Sequence, residues 1–507
     1  MFSNVILSLL LLFPFFAGLV TLSIPSGSKG TIKSFALYVS LMNFIISLIM
    51  YSKFENVDGF QFINNIPWNT NLGISYKIGV DGISLFLVMI TTFFIPVAIL
   101  STWNVIKEKE KMFYSCILFL ETFLLGSTLS MDMFLFYTFW ELMLIPMFFM
   151  VGVWSESKKI YITAKFFVFT MIGSLGMLFS LLYVYQLHYK QTGIYTFDML
   201  ELYNTNISPT MGPILFLLFL LAFAVKAPLF PFHTWLPDTY TDAPVSATIV
   251  LSSVMAKIGV YGIIRFVIPL FPVAFSQYSN LLMTLAAIGI IYGGLIAIVQ
   301  KDMKRLIAYS SISHLGYIIL GVFAFNLQAL QGSIFQMVNH ALSTGALFLL
   351  VAFLESRIKT RKIENMGGLM TLMPGLGLIF MLAMFSSVGL PGLNGFVGEF
   401  LIFLGVFGKN PVFSVLATTG IIISAIYMLW SFQRIMFGKL NTNLKVEFKS
   451  LRASELMVLI PISALIIILG VYPQPFLNKI EPSVSKYIDF VNLKRINNQE
   501  IASLSHK

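Results

Sequence analysis

Apolar residues fall in long blocks along this chain, with short polar connections between them. A helix needs roughly 20 mainly apolar residues to cross a bilayer, and such blocks recur from end to end. About fourteen spans are predicted, near 2–23, 34–52, 83–103, 112–131, 133–153, 162–187, 212–232, 243–270, 280–299, 303–325, 331–354, 374–407, 411–438 and 454–471. The first block has no Lys or Arg ahead of its apolar part and no convincing cleavage site, so it reads as a span and not a signal peptide. The longest connection, 53–82, is polar and carries Trp68. No stretch reads as a soluble domain, and the expected fold is an all-α polytopic membrane protein.

Two of the proline-containing spans stand out. Span seven has "FAVKAPLFPFHTW", with Pro228 and Pro231, and span twelve has "FSSVGLPGLNGFVGEF", with Pro391 between glycines. Proline removes a backbone donor and clashes with the preceding turn. In a bilayer, the freed backbone must be buried in protein or line a wet cavity. Pro228 and Pro391 are 163 residues apart, close to the distance between the starts of spans four and nine. Spans 4–8 (112–270) and 9–13 (271–438) are therefore predicted to be two copies of one five-helix unit. Five is odd, so the copies enter the membrane from opposite sides. Inverted repeats with discontinuous helices are a transporter architecture. Three helices (1–111) precede the repeats; helix fourteen and a C-terminal tail (439–507) follow them.

Composition narrows the class. The 507 residues are 57% hydrophobic and 11% charged, whereas soluble domains carry about 25% charged residues. One cysteine, Cys116, gives no disulfide framework, Cys-based zinc site or iron–sulfur cluster. No phosphate-binding loop or dinucleotide fingerprint is present; the glycines at Ser386–Phe400 read as a helix break. The chain is expected to bring no cofactor and no metal of its own.

The net charge of +10 could suggest nucleic acid, but its distribution points to the bilayer. Lys and Arg gather in loops after odd-numbered spans, among them Lys107, Lys158, Lys165, Lys304, Arg305, Arg361, Lys445 and Lys449; loops after even-numbered spans hold only Lys53, Lys77, Lys190 and Lys409. The positive-inside rule then places both termini outside. The loop after span seven, with Asp238 and Asp242, is the exception. It is expected either to be buried in protein or to shape an ion entrance.

Eight ionisable residues fall within spans: Glu121, Glu141, Lys226, Lys257, Arg265, His314, His340 and Glu399. A charge at the bilayer centre costs about 2.5–3.5 kcal/mol on insertion scales, so each needs a partner, water or neutralisation. Glu141, in "FYTFWELMLIPMFFMV", is a protonatable site or a structural carboxylate. Lys226, two residues before Pro228, is its natural partner; the plainer reading is a lysine reaching for the interface. Lys257, in "SSVMAKIGVYGIIRF", is the next relay candidate. Arg265 holds its proton under ordinary conditions and reads as an anchor. His314 has Ser310 four residues back, and His340 has Ser343 and Thr344 on its own face. Imidazole among hydroxyls suits proton transfer near neutral pH, though a lone His in a bundle is often a satisfied core residue. Glu399 lies eight residues beyond Pro391, and Glu121, in "FLETFLLG", completes the series of candidates.

These segments also resemble a family. "FYTFWELMLIPMFF", "LAFAVKAPLFPFHTWLPDTYTDAPV", "MAKIGVYGIIRF", "RLIAYSSISHLGYIILG", "QMVNHALSTGALF" and "GLPGLNGFVGEF" look like the antiporter-like membrane subunits of respiratory complex I (NADH:quinone oxidoreductase), the chain M or mitochondrial chain 4 type. The resemblance covers nearly the whole chain, leaving only 53–82 and the tail uninformative. It implies a fourteen-helix proton-translocating subunit. Glu141 and Lys226 would form the coupling pair, Lys257 and His314 the central relay with His340 beside it, and Glu399 the terminal site. A glutamate there resembles chain M; sister chains usually have lysine. The resemblance also implies that FMN, iron–sulfur clusters and quinone reside in other subunits. Neighbouring antiporter-like chains of the L and N types would be partners, together with the lipid bilayer. A bacterial inner membrane is favoured over the mitochondrial one. Two other readings stay open: a subunit of a multisubunit cation/proton antiporter, and a haem-binding cytochrome using His314 and His340.

Overall fold

A computed structural model describes residues 5–157, 159–439, 441 and 451–505; Lys158, Lys445 and Lys449, counted above among the loop cations, lie outside them. Among the described residues, eleven helices are long and apolar enough to cross a membrane. They are span one (Ile6–Ser23), two (Lys29–Lys53), four (Glu110–Leu129), five (Met133–Trp154), six (Ile160–Thr192), eight (Val245–Leu270), nine (Pro272–Ile298), ten (Met303–Ala324), eleven (Leu327–Ile358), thirteen (Pro411–Phe437) and fourteen (Ala453–Val471). Three shorter apolar helices, Leu85–Ser101, Met211–Lys226 and Pro374–Val388, fill the places of spans three, seven and twelve. The chain is thus a multi-pass, all-helical membrane protein, with its spans where the apolar blocks put them.

Spans eight, ten and eleven are almost wholly enclosed by other helices, whereas spans one, two, six, thirteen and fourteen turn apolar side chains such as Phe16, Tyr38, Ile172, Ile422 and Ile460 outward. The enclosed spans carry Lys257, Arg265, His314 and His340. Intramembrane charge is tolerated where it faces protein and not lipid.

Spans seven and twelve are both broken, whereas Pro14, Pro96 and Pro461 sit inside continuous helices. Span seven stops at Lys226 and resumes as Trp235–Asp242. The indole of Trp235 donates back to the carbonyl of Val225 at 2.9 Å, satisfying a group beside the break. Span twelve stops at Val388, turns through Gly389 at φ +83°, and resumes as Asn394–Lys409. There Asn339 donates to the Asn394 carbonyl at 2.8 Å, and the Ser386 hydroxyl donates to Asn394 Oδ1 at 2.5 Å. The freed backbone is met by protein, as a bilayer requires. Span eight adds two wide π turns, Leu251–Met255 just before Lys257 and Ile263–Val267 around Arg265. Such turns are frequent at functional sites.

One junction occurs twice. Asp132 caps span five, accepting from the Leu135 N–H, while the Met133 N–H bonds Phe197 and the Met199 N–H bonds Met131. Asp302 caps span ten, accepting from the Arg305 N–H, while the Met303 N–H bonds Arg361 and the Ile363 N–H bonds Lys301. The caps share φ near −103° and ψ near 129°. The first junction lies among loops after even-numbered spans, the second among loops after odd-numbered ones.

The polar connection 53–82 folds as an antiparallel hairpin, β1 (Gln61–Asn69) and β2 (Ile74–Val80). Ile74, Ile78 and Val80 of β2 are buried, and the Tyr76 hydroxyl meets Ser8 at 3.1 Å. Asp81, just beyond β2, grips Arg265 through both carboxylate oxygens at 2.6 Å. Arg265 is the anchor its chemistry suggested. The tail forms a helix, Gln474–Ser505, which crosses the loops after even-numbered spans. Along it, Lys479 donates to the Phe54 carbonyl at 2.7 Å, Ser483 accepts from the Gly82 N–H at 2.9 Å, and Lys494 donates to the Pro269 carbonyl at 2.8 Å.

The loops after odd-numbered spans meet at the other end. Asp238 pairs with Lys165 at 2.7 Å and Arg305 at 3.3 Å, and Asp242 accepts from the Ser157 hydroxyl at 2.5 Å. Arg361 joins Glu156 at 2.7 Å and Asp302 at 3.2 Å. The acidic loop after span seven is therefore matched by cations of neighbouring loops. Of the two readings left open for it, burial against protein is the one observed.

Candidate functional site

Four of the predicted residues form one connected series in the enclosed core. Lys257 Nζ lies 2.7 Å from His340 Nδ1 and also donates to the carbonyl of Ser252, in the first π turn. The rings of His340 and His314 stand 5.6 Å apart between centroids. His314 Nδ1 lies 3.0 Å from Glu399 Oε1, and its Nε2 lies 3.2 Å from the Ser387 hydroxyl. Gln336 donates to the same Glu399 oxygen at 3.1 Å. All four side chains are almost completely buried. The Lys257–His340 and His314–Glu399 contacts are within the hydrogen-bond reach that proton transfer needs; no hydrogen bond joins the two imidazoles, and His340 Nε2 is buried with no partner among the described residues.

The order differs from the one the resemblance implied. His340 stands between Lys257 and His314, not beside them. The hydroxyl expected to serve His314 also differs: Ser310 is engaged with Tyr427 at 2.9 Å, and Ser387, on the last turn before the span-twelve break, takes its place. Ser343 bonds Ser386 at 2.6 Å, so it braces the break and not the imidazole. Both nitrogens of His314 are engaged by Glu399 and Ser387, which leaves neither for a haem iron. The described residues hold no group of three or more His, Cys, Asp or Glu placed to take a metal ion.

Glu141 and Lys226 are arranged otherwise. Lys226 is buried at the last turn before the span-seven break, and its ammonium has no hydrogen-bond partner among the described residues. It lies over the indole of Trp140, 4.5 Å from the ring centroid. Trp140 is buried in turn against Phe223, 5.0 Å away edge to face. Glu141, the next residue, is partly exposed, and its Oε1 is buried with no partner. The two form no ion pair within 4 Å. No hydrogen bond links Lys226 to Lys257 among the described residues, although the helices carrying them pack together. Glu121 lies apart from both groups, in contact with Asn43 of span two at 2.7 Å.

Residues 6–127 match the family described as "NADH-ubiquinone oxidoreductase chain 4, amino terminus", and residues 130–424 match "NADH:quinone oxidoreductase/Mrp antiporter, TM". NADH-quinone oxidoreductase subunit M of Rhodobacter capsulatus is 39% identical over 497 residues, covering 95% of this chain and 96% of that protein. The chain belongs to the subunit M (chain 4) family of NADH:quinone oxidoreductase. NADH-ubiquinone oxidoreductase chain 4 of Marchantia polymorpha is 38% identical, over 95% of this chain and 97% of its own length. Among solved structures, a chain of respiratory complex I from Thermus thermophilus with bound NADH superposes with a TM-score of 0.87 at 30% identity, over 96% of this chain and 99% of that one. The subunit M relatives favour the complex I reading over a stand-alone antiporter, since both share the second family description.

Sequence reasoning missed several groups in this subunit M site. Trp140 was hidden by its apolar neighbours, although it directly precedes Glu141. Gln336 lies four residues before His340, on the same helical face, a spacing that could have found it. Asn339, Asn394 and Ser386 brace the broken helix; their signal was polar residues clustered about a Gly-Pro-Gly turn within an apolar block.

Proposed function

We propose that this subunit M chain carries protons across the membrane within NADH:quinone oxidoreductase, by way of Lys226, Lys257, His340, His314 and Glu399. Glu141 supplies the charge that decides whether Lys226 keeps or passes its proton. The observation that carries this reading is the buried series Lys257, His340, His314 and Glu399, hydrogen-bonded at its two ends and joined in the middle by imidazole rings 5.6 Å apart between centroids. The duplicated Asp132 and Asp302 junctions, one at each end of the bundle, support two inverted five-helix units with a broken helix in each. Redox chemistry belongs to other subunits holding FMN, iron–sulfur clusters and quinone, and this chain turns their electrostatic or conformational push into proton movement. The scale is set by the membrane potential, about 2.3 kcal/mol per charge per 100 mV. Ile145, Phe148 and Phe149 present an outward apolar face beside Glu141, which fits a neighbouring antiporter-like chain of the L or N type. The loop cations support both termini facing outside; a bacterial inner membrane is the proposed location.

Glu399 is the exchange point with the outer side. Glu399→Gln keeps the hydrogen bond from Gln336 and removes the ionisable group. Proton pumping by proteoliposomes is expected to fall at least about tenfold at equal assembled complex, the lower range for loss of an acid–base group. Pumping at the wild-type rate would place the exit elsewhere.

A further inference from the structure

Glu121 of span four and Asn43 of span two are both fully enclosed. Asn43 Nδ2 donates to Glu121 Oε1 at 2.7 Å. The remaining oxygen of each group, Glu121 Oε2 and Asn43 Oδ1, is buried with no hydrogen-bond partner. If Glu121 is a carboxylate, both orphans are acceptors and neither can serve the other. If it is a carboxylic acid, its carbonyl accepts from the amide N–H and its hydroxyl donates to the amide oxygen. One proton then satisfies both orphan atoms and closes a two-bond ring.

Among the described residues, nothing packed around the pair supplies a balancing cation. Spans one and three, and the Leu144–Trp154 half of span five, carry no titratable side chain. On span two, Lys33 and Lys53 lie ten residues to either side of Asn43, about 15 Å along the helix axis. Lys33 and Lys29 face Glu110 at 3.4 and 3.7 Å. Tyr38 and Tyr51 complete the titratable groups of span two, and Tyr137 and Glu141 those of span five. On span eight, Lys257 is engaged by His340, Arg265 by Asp81, and the Tyr261 hydroxyl donates to the Thr128 carbonyl. On β2, Lys77 pairs with Asp198 and Tyr76 meets Ser8. Span four itself adds Glu110, Lys111, Tyr114 and Cys116, all at least five residues before Glu121. On span two, the Ser40 hydroxyl donates to the Leu37 carbonyl at 2.9 Å and Ser47 meets Thr92 at 2.8 Å, so both hydroxyls are engaged elsewhere.

We propose that Glu121 keeps its proton and forms a neutral acid–amide pair with Asn43, fastening span two to span four and standing outside the proton path. A buried carboxyl within a proton-moving subunit is then a structural clasp that does not exchange during turnover.

Infrared spectroscopy of the intact complex tests the protonation state, and substitutions test the role. Wild type should show a protonated-carboxyl carbonyl band that is lost in Glu121→Gln and shifted in Asn43→Leu. Glutamine restores both hydrogen bonds of the neutral pair, so Glu121→Gln should assemble and pump within about twofold of wild type. Asn43→Leu and Glu121→Leu should each reduce assembled complex, and the double variant Asn43→Leu/Glu121→Leu should recover it, because no orphan acceptor remains. Three results would each overturn the proposal: no such band in wild type, a tenfold loss of pumping in fully assembled Glu121→Gln, or a double variant no better assembled than its parents. The first two would make Glu121 an ionised or relaying group even if the Glu399 exit stands.

Discussion

The two halves of the candidate path are built in opposite ways. From Lys257 to Glu399 the groups are hydrogen-bonded at both ends and meet ring to ring in the middle, where His340 Nε2 is the one buried polar atom of the four side chains without a partner among the described residues. At Glu141 and Lys226 the ammonium rests on an indole, the carboxylate is partly exposed, and no ion pair closes. Fully satisfied buried networks are rigid, and a buried polar group left unpaired is costly. In the proposed reading the connected half conducts, and the unconnected half decides when conduction starts. Lys226 stands beside the break in span seven, and its ammonium makes no hydrogen bond among the described residues that a movement would sever.

The largest effect is expected from breaking the connected half at its middle. His340→Gln keeps hydrogen-bonding capacity toward Lys257 but cannot accept and release a proton as imidazole does. Coupled pumping should fall about a hundredfold at equal assembled complex, the scale of a positioned acid–base group. A loss within twofold would mean protons bypass His340 and the contact series is structural.

A smaller effect sharpens the other half. Trp140→Leu removes the aromatic face beneath Lys226 while leaving Glu141 in place. A desolvated cation–π contact is worth about 2 kcal/mol, so turnover should change by about ten- to thirtyfold, with Trp140→Phe between the variant and wild type. Equal activity in all three would make the contact incidental.

The position of spans, both broken helices and most site residues could be read from the sequence because each leaves a one-dimensional mark. Lipid demands long apolar blocks, and a proline or a charge inside one stands out against them. The order of the relay could not be read, because His340 and His314 lie on adjacent spans and only the packing of spans ten and eleven against Lys257 sets which comes first. The hairpin was missed because β1 is largely exposed, so burial is confined to the short β2, "ISYKIGV". The tail helix was missed although Ile480, Val484, Tyr487 and Val491 repeat at three- and four-residue steps and are buried or nearly so; its polar character set it apart from the spans. Asn43 gave no signal, since its meaning depends on a carboxyl 78 residues away.

The smallest expected effect concerns the scaffold beneath Glu141. Burial pushes the Asp132 carboxyl, at the cap of span five, up to about 6, against the pull of backbone N–H groups including those of Leu135 and Ser75. Its folded-state affinity for the proton exceeds that of an unfolded aspartate, near 3.9, so the contribution it makes to stability is full below about 4 and is lost as pH rises through about 6. Hydrogen exchange at the hairpin and the start of span five, compared with Asp132→Asn at each pH, should show wild-type protection declining across that window. A pH-independent difference would contradict the assignment. The relay substitutions above should leave this profile unchanged.

The most direct measurement places Glu141→Gln and Glu141→Asp side by side, in membranes with equal amounts of assembled complex, and reads quinone reduction and proton pumping together. Unit charges about 6 Å apart at an effective dielectric near 20 interact by roughly 3 kcal/mol, enough to decide whether a lysine holds its proton. Glu141→Gln keeps the shape and removes the charge, so both activities should fall steeply together, while Glu141→Asp should retain part of each. Full coupled turnover in Glu141→Gln would contradict the account, leaving Glu141 a packing residue and Lys226 without its switch.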